Sequence, residues 1–262
     1  MAGPDSDPRP FHPVSRRPFR PARARPSRAG ASRPRSSRGR RSWRRRAVRA
    51  LLLAPVLFYA AAALCFLYLR VLPPLTTTVR LQRRVEALLA GQPYAERHRW
   101  QALAALPRHV PRAVVAAEDA RFYQHQGFDW VEVRRAGARA ARTGRPRRGA
   151  STITQQLVKN LFLTTHRSVA RKVVEAALTP AAELLLPKDR ILELYLNEIE
   201  WGPGVFGIGA AARHHYEVDA RRLTRDQALR LAAVIPAPRV RRPARLGWYA
   251  RVIDGRMRQM GW

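Results

Sequence analysis

The sequence predicts a mainly α-helical domain preceded by one transmembrane helix. Residues 50–69 form an unbroken apolar run without a charged side chain. Beyond residue 71, apolar residues recur at helical spacing, and several of these segments begin at a residue type that caps helices. No stretch of this region shows the strict alternation of a half-buried strand. With 262 residues, the chain has room for one medium domain and an appendage, or for two small domains.

Charge and cysteine content narrow the classes of partner and site. The chain carries 50 basic and 18 acidic residues, a formal net charge of +32, so the first expectation is an anionic partner. Nucleic acid, anionic lipid and phosphorylated substrates all qualify. The single cysteine, Cys65, excludes an internal disulfide and a cysteine metal cluster.

The N-terminal residues 1–46 are predicted to form a disordered cytoplasmic tail. Residues 1–49 hold 16 arginines and two aspartates among many prolines and serines, a composition that cannot bury enough apolar surface to fold. A nucleic-acid-binding arm is the alternative. The membrane segment that follows favours a tail held near anionic lipid.

Residues 47–70 are predicted to be an uncleaved signal-anchor helix. Its twenty uncharged residues make about 30 Å of helix, enough to cross a bilayer, with Pro55 near the start. A buried core helix seldom runs this long without a polar residue, and no small-x-small cleavage site follows the span. The arginine excess before it predicts a cytoplasmic N-terminus and an extracytoplasmic domain over residues 71–262.

The domain from residue 71 onwards is predicted to be a series of capped helices. Thr78, Asp129, Ser151 and Thr224 are the expected caps, and Pro111 suits a first helical turn. The expected helices cover 79–90, 111–118, 129–141, 151–160, 168–186, 188–197, an alanine-rich segment ending at 216, 224–236 and 248–260.

The stretch EDARFYQHQG, residues 118–127, holds the first candidate catalytic group. Glu118 ends the apolar run 113–117, where a carboxylate is poorly solvated. Its pKa should therefore rise, which suits a general base. The alternative is an ordinary helix end in solvent.

Two later stretches carry polar and charged groups that suit a sugar-phosphate cleft. In GASTITQQLVKN (149–160), Thr152, Gln156, Lys159 and Asn160 fall on one helical face. In RKVVE (171–175), two cations lie three and four residues from Glu175. A solvated polar face and an ordinary helix salt bridge are the alternatives.

The order and spacing of these motifs resemble those of the glycosyltransferase family 51 peptidoglycan glycosyltransferases, a module also found in class A penicillin-binding proteins. EDARFYQHQGFDW (118–130) is similar to the family's first signature, GASTITQQLVKN to its second, RKVVE to its third, and ILELYLNEIEWGPGVFGIGAAARHHY (191–216) to its fourth and fifth. The resemblance covers about residues 75–260.

The resemblance implies a fold and an activity. The fold is a lysozyme-like α domain with a jaw subdomain near the membrane. The activity is inverting polymerisation of lipid II into β-1,4-linked glycan strands, with release of undecaprenyl pyrophosphate for cell wall synthesis. The location it implies is the bacterial inner membrane, and the partners are the membrane, lipid II, the growing lipid-linked glycan and other cell-wall synthesis or division proteins, without nucleic acid.

The resemblance also implies residue roles. Glu118 matches the general base that takes the proton of the acceptor 4-hydroxyl, and Glu175 matches the second essential carboxylate, which assists the donor pyrophosphate. No cofactor is required, although Mg²⁺ or another divalent cation near Glu175 is left open. The positions implied to shape the site or bind substrate are Asp119, Phe122, His125, Thr152, Gln156, Lys159, Asn160, Arg171 and Lys172.

Three other functions are weighed on the residues. A glycan-cleaving lysozyme-like or lytic enzyme would leave the cations of the second and third motifs without a purpose, and a non-enzymatic binder of anionic polymer would not need Glu118 and Glu175. Transpeptidase activity is not expected, because Ser-x-x-Lys and Lys-Thr-Gly are absent.

His214 and His215 stand where the family more often has aromatic residues, and no carboxylate or third histidine lies at ligand spacing for a metal.

Overall fold

A computed structural model describes residues 37–144 and 151–262 and confirms the prediction of a mainly helical domain behind one apolar helix. The helices within these ranges are α1 (Ser37–Leu69), α2 (Thr78–Leu89), α3 (His109–Glu118), α4 (Trp130–Thr143), α5 (Ile153–Phe162), α6 (Val169–Leu185), α7 (Lys188–Glu198), α8 (Ile208–Tyr216), α9 (Arg225–Val234) and α10 (Gly247–Gln259). The chain divides into two compact units after Arg49, and residues 50–262 form the second.

Helix α1 begins earlier than the sequence predicted. Residues 37–46 were expected to be disordered and are helical, while residues 1–36 of the predicted tail lie outside the described residues. Arginine is a good helix former, and a helix nucleated in the apolar run extends at little cost into such residues. Pro55 consequently lies in the helix interior and not near its start. The segment Arg46–Leu69 is long and apolar enough to cross a membrane.

The C-terminal end of α1 packs against the domain. The Phe66 ring is fully buried and meets the Phe162 ring of α5 edge-on, with 5.1 Å between centroids. The Arg190 Nε of α7 donates to the Leu69 carbonyl at 2.8 Å, which satisfies one of the carbonyls that a helix end leaves free. Apolar contact and a helix-end hydrogen bond therefore hold the end of the apolar helix on the domain.

The core of the domain is formed by two groups of helices. Helix α5 packs on α6 and α7, and α3 packs on α9 and α10. The largest buried side chains include Tyr195 on α7 and Trp201 just after it. Helix α3 ends at Glu118 and α5 begins at Ile153, and the bonds from Gln156 to Glu118 and from the Ile153 N–H to Asp119 bring the first two predicted motifs together.

Side-chain caps fix the start of most predicted helices, with small corrections. Asp129 and Thr224 are N-caps as predicted, and Ser168 also caps α6. The prediction for α5 was wrong by one residue, because Thr152 and not Ser151 accepts the N–H of Gln155. Likewise Thr77, and not Thr78, caps α2.

A small sheet was missed by the sequence prediction. Strands β1 (Arg97–His98), β2 (Glu200–Gly202) and β3 (Val205–Phe206) pair in the order β1–β3–β2, with β1 parallel and β2 antiparallel to β3. Strands of two or three residues are too short to show alternation. Gly204 lies between β2 and β3 with φ +70°, and a Cβ there would lie 2.8 Å from the Ala95 carbonyl oxygen.

This contact predicts the cost of a side chain at Gly204. Both Gly204 and Gly91 have positive φ, at +70° and +61°, but a Cβ at Gly91 would meet nothing within 4 Å. Left-handed backbone costs about 1–2 kcal/mol for alanine at either position. We expect Gly204→Ala to lower the free energy of unfolding by at least about 1 kcal/mol more than Gly91→Ala, because overlap with the backbone adds to the strain. Denaturant titration of both variants in detergent measures this difference, and equal losses would contradict it.

Candidate active site

Glu118 lies at the end of helix α3 with its carboxylate turned towards helix α5. Residues 113–116 before it are buried, as expected for the apolar run. Gln156 Nε2 donates to Glu118 Oε2 at 2.8 Å. Burial raises the pKa of Glu118, although the bond from Gln156 and the charges of Lys159 and Arg241 oppose this rise. The sequence-based expectation of a raised pKa is confirmed.

The orientation of Gln156 is set by Tyr195, a residue that sequence reasoning missed. The fully buried Tyr195 hydroxyl donates to Gln156 Oε1 at 2.8 Å. Since the amide oxygen accepts from Tyr195, the amide NH₂ faces Glu118. The available signal was a tyrosine within the apolar helix ILELYLN, because a buried tyrosine hydroxyl usually finds a hydrogen-bond partner.

Asp119 joins the first motif to helix α5. Its carboxylate accepts from His125 Nε2 at 2.9 Å and from the Ile153 backbone N–H at 3.0 Å. Ile153 is the first residue of α5, where a negative charge is favourable beside the helix dipole. Asp119 therefore fixes the start of the helix that carries Gln156 and Lys159.

Four residues with predicted substrate roles use their side chains within the protein. The Phe122 ring is fully buried, with Lys188 Nζ 4.4 Å from its centroid, and only 6% of the His125 side chain is exposed. The Thr152 hydroxyl donates to the Gly127 carbonyl at 2.7 Å. Asn160 Nδ2 donates to the Gln156 carbonyl at the same distance. These contacts hold the motifs in place and offer little surface to a ligand.

The buried Glu175 carboxylate forms a cluster with the two cations of its motif, of which Lys172 is exposed. The Glu175 side chain is 3% exposed and accepts from Arg171 Nη1 at 2.9 Å and from Lys172 Nζ. Lys172 Nζ also donates to the Ser151 hydroxyl at 3.0 Å, a contact that the sequence did not reveal. A buried carboxylate needs such partners, and here the protein supplies both.

Lys159 is close enough to both carboxylates for their charges to act on it. Burial lowers the pKa of Lys159, and the charges of Glu175 and Glu118 both act against that fall. The neighbouring cations Arg171 and Lys172 lower it further. The structure thus brings together two carboxylates and three cations from three separate motifs. Such a set of fixed cations is suited to stabilising a leaving group that develops negative charge.

The residues around Glu175 do not fit a divalent cation. Among the described residues, the Glu175 carboxylate contacts two cations, whereas Mg²⁺ prefers several oxygen ligands. A second group, Asp119, His125 and Asp129, offers three ligand atoms within 4.8 Å of one another. These acids are already used, because Asp129 caps α4 and lies 3.3 Å from Arg121 Nε.

The comparison with protein families decides the assignment. A family model described as "Transglycosylase" matches residues 84–259, which include every residue of the site. The chain belongs to this transglycosylase family.

Similar proteins extend the match over most of the chain. A protein of Chromohalobacter salexigens is 45% identical over 225 residues, covering 84% of this chain and 96% of the relative. A protein of Ectopseudomonas mendocina is 49% identical over 179 residues, with 68% and 74% covered. A protein of Pseudomonas aeruginosa is 45% identical over 205 residues, with 78% and 88% covered. Each of these relatives carries the name "Biosynthetic peptidoglycan transglycosylase".

The hydrogen bond from Gln156 predicts how this transglycosylase-family site titrates. The bond favours the charged carboxylate, so Gln156→Leu should raise the pKa of Glu118 above its already raised value. The ¹³C shifts of labelled glutamate carboxyls, assigned with Glu118→Gln, follow this titration. A midpoint for Gln156→Leu at or below that of the wild type would contradict the role of the bond.

Proposed function

We propose that this protein is a peptidoglycan glycosyltransferase that polymerises lipid II into β-1,4-linked glycan strands and releases undecaprenyl pyrophosphate for cell wall synthesis. The observation that carries the proposal is the raised-pKa Glu118 beside Lys159, which connects it to the Arg171–Lys172–Glu175 cluster. The names of the relatives and the family match support the same reaction.

In this reaction Glu118 acts as the general base. It takes the proton from the 4-hydroxyl of the acceptor N-acetylglucosamine as that oxygen bonds to the anomeric carbon of the donor. The bond from the anomeric carbon to the pyrophosphate oxygen breaks, and the leaving group keeps its electrons. Attack opposite the leaving group converts the α-linked donor into a β-1,4 link. The raised pKa makes Glu118 a stronger base than an ordinary glutamate, which helps near neutral pH.

The cations serve the leaving pyrophosphate. Lys159, Arg171 and Lys172 form the donor side, and Glu175 holds the last two in position through its ion pairs. A fixed cation in a partly buried site stabilises developing charge better than a mobile one in water, because it does not have to reorganise. The protein thereby provides the positive charge on this side of the reaction from its own residues.

The buried residues of the first two motifs act through position. Asp119 and His125 hold the start of α5, Phe122 packs beneath Lys188, and Thr152 caps α5. Asn160 bonds the backbone of Gln156, the residue that contacts the base. In our proposal these residues set the geometry, and Gln156 and the cations meet the substrate.

A lipid-linked substrate places the domain at a membrane surface. We propose a single-pass protein of the bacterial inner membrane, with residues 47–70 in the bilayer, a cytoplasmic N-terminal tail and residues 71–262 outside the cytoplasm. The contact of Phe66 with Phe162 and the bond from Arg190 to Leu69 would keep the domain close to its anchor. Lipid II and the growing lipid-linked glycan are the proposed partners, with other cell-wall synthesis or division proteins beside them.

The polymerisation assay tests the base. Full-length protein in detergent should convert lipid II into polymer, and Glu118→Gln should reduce the rate by roughly 10²–10⁴-fold, because the amide cannot accept the proton. Glu217→Gln makes the same change at an exposed residue and should keep full activity. Polymerisation that survives in Glu118→Gln would refute the assignment. Cleavage of preformed glycan without polymerisation would instead support the lytic alternative.

Removal of a cation tests the donor side. We expect Lys159→Gln to lower the polymerisation rate about 10–100-fold, since charge-assisted hydrogen bonds contribute about 1.5–3 kcal/mol. It should also weaken the binding of moenomycin-type phosphoglycolipids, which mimic the donor strand. Arg251→Gln removes one positive charge from an exposed residue and serves as the control. Equal rates and equal inhibitor binding in both variants would show that Lys159 does not meet the donor.

A further inference from the structure

A second positively charged depression lies outside the candidate active site, between β1 and α8. This β1–α8 groove has a volume of about 450 Å³ and shares no residue with the site around Glu118 and Glu175. Its lining residues are Glu96, Arg97, His98, Arg99, Ala210, Arg213 and His214.

The arginines of the groove have little compensating negative charge. Glu96 is already bound by Arg80 and Arg84, at 2.6 and 2.7 Å. Among the described residues, Arg97 contacts no carboxylate, and a single aspartate serves the other two arginines of the groove.

That aspartate, Asp219, is bound mainly elsewhere. It pairs with Arg221 at 2.9 Å, while Arg99 and Arg213 approach it only to 3.4 and 4.0 Å. Among the described residues, the arginines of the groove are therefore only partly paired with carboxylates, and they can bind a further anion.

Arg97 is held in place by a neutral partner. Its Nη1 lies 2.9 Å from His214 Nδ1. Because a guanidinium only donates, His214 Nδ1 must accept and carries no proton. His215 packs edge-on against His214, with 4.6 Å between centroids, and its own Nε2 donates to the Trp201 carbonyl at 3.0 Å. The histidine pair thus orients Arg97 without neutralising its charge.

The fold offers a backbone edge beside these arginines. In the sheet order β1–β3–β2, β1 is an edge strand, paired only with β3 among the described strands. Arg97 and Arg99 are both exposed and lie two residues apart, about 7 Å along an extended chain. An extended peptide can add to such an edge through its backbone hydrogen bonds. The side chains at alternate positions of the peptide then have the same spacing as Arg97 and Arg99.

We propose that the β1–α8 groove binds an extended, carboxylate-rich segment of a partner protein, which adds as a strand beside β1 and pairs its carboxylates with Arg97, Arg99 and Arg213. Single carboxylates on alternate residues match the separate arginines, and each guanidinium can bind one in a bidentate manner. A single compact phosphate dianion matches this arrangement less well, because Arg97 and Arg99 are about 7 Å apart along the extended chain.

Binding to a defined peptide tests the proposal. The probe is a fluorescein-labelled (Glu-Val)₄ peptide, titrated with full-length protein in detergent and followed by anisotropy. We expect Arg97→Gln/Arg99→Gln to weaken binding at least tenfold. The control Arg134→Gln/Arg142→Gln removes the same charge from two exposed residues and should change affinity less than twofold. Unchanged thermal unfolding of both variants would show that they remain folded.

Two further arms separate a strand-binding groove from general charge attraction. A (Glu-Pro)₄ peptide has the same charge but lacks every second backbone N–H, so it should bind at least fivefold more weakly. Inorganic pyrophosphate and phosphatidylglycerol nanodiscs should compete poorly. The proposal is overturned if both double variants lose affinity equally, if (Glu-Pro)₄ binds as well as (Glu-Val)₄, or if pyrophosphate or the nanodiscs displace the peptide at low concentration.

Discussion

Two consecutive carboxylates hold one helix, and the arrangement of the candidate site depends on this contact. Asp119 accepts the first N–H of α5 at Ile153, while Glu118 accepts from Gln156, almost one turn later on the same helix. Two contacts on successive turns fix both the position and the rotation of α5. Lys159 then follows Gln156 by three residues and so lies on the same side. The spacing between the base and the cation is therefore set by the bonds of Glu118 and Asp119 to α5.

The two acids of the first motif have different environments despite being neighbours. The Asp119 carboxylate is spent on His125 and a helix N-terminus, contacts that favour its structural use. Glu118 has one neutral donor, Gln156, and burial raises its pKa. The carboxylate that complements Glu118 is Glu175, whose charge acts on the same Lys159. In such a site one carboxylate accepts the proton and the other binds the cations. The two must be apart, because a second free carboxylate beside Glu118 would shift the pKa of Glu118.

Local signals explain which parts could be predicted from the sequence. The capped and amphipathic helices and the ion pairs of Glu175 depend on residues a few positions apart, so they were predictable. The bond from Tyr195 to Gln156, 39 residues apart, and the influence of Arg241 on Glu118 depend on tertiary packing, which no local pattern encodes. The short β1–β3 pairing was missed for the same reason. Phe122 and Thr152 are motif residues that are buried. Their place in the motif therefore reflects structural support of the site.

The net charge of +32 does not by itself identify a partner, because side chains with the same charge have different binding partners within the protein. Arg171 and Lys172 are bound to a buried carboxylate, which keeps them in position and limits their attraction for other anions. Arg97 keeps its full charge, because its contact is a neutral imidazole. The first arrangement suits a transient leaving group that must later depart. The second arrangement suits stable binding of an anion. Arg97 contacts no carboxylate among the described residues, so a bound carboxylate would be its first negatively charged partner.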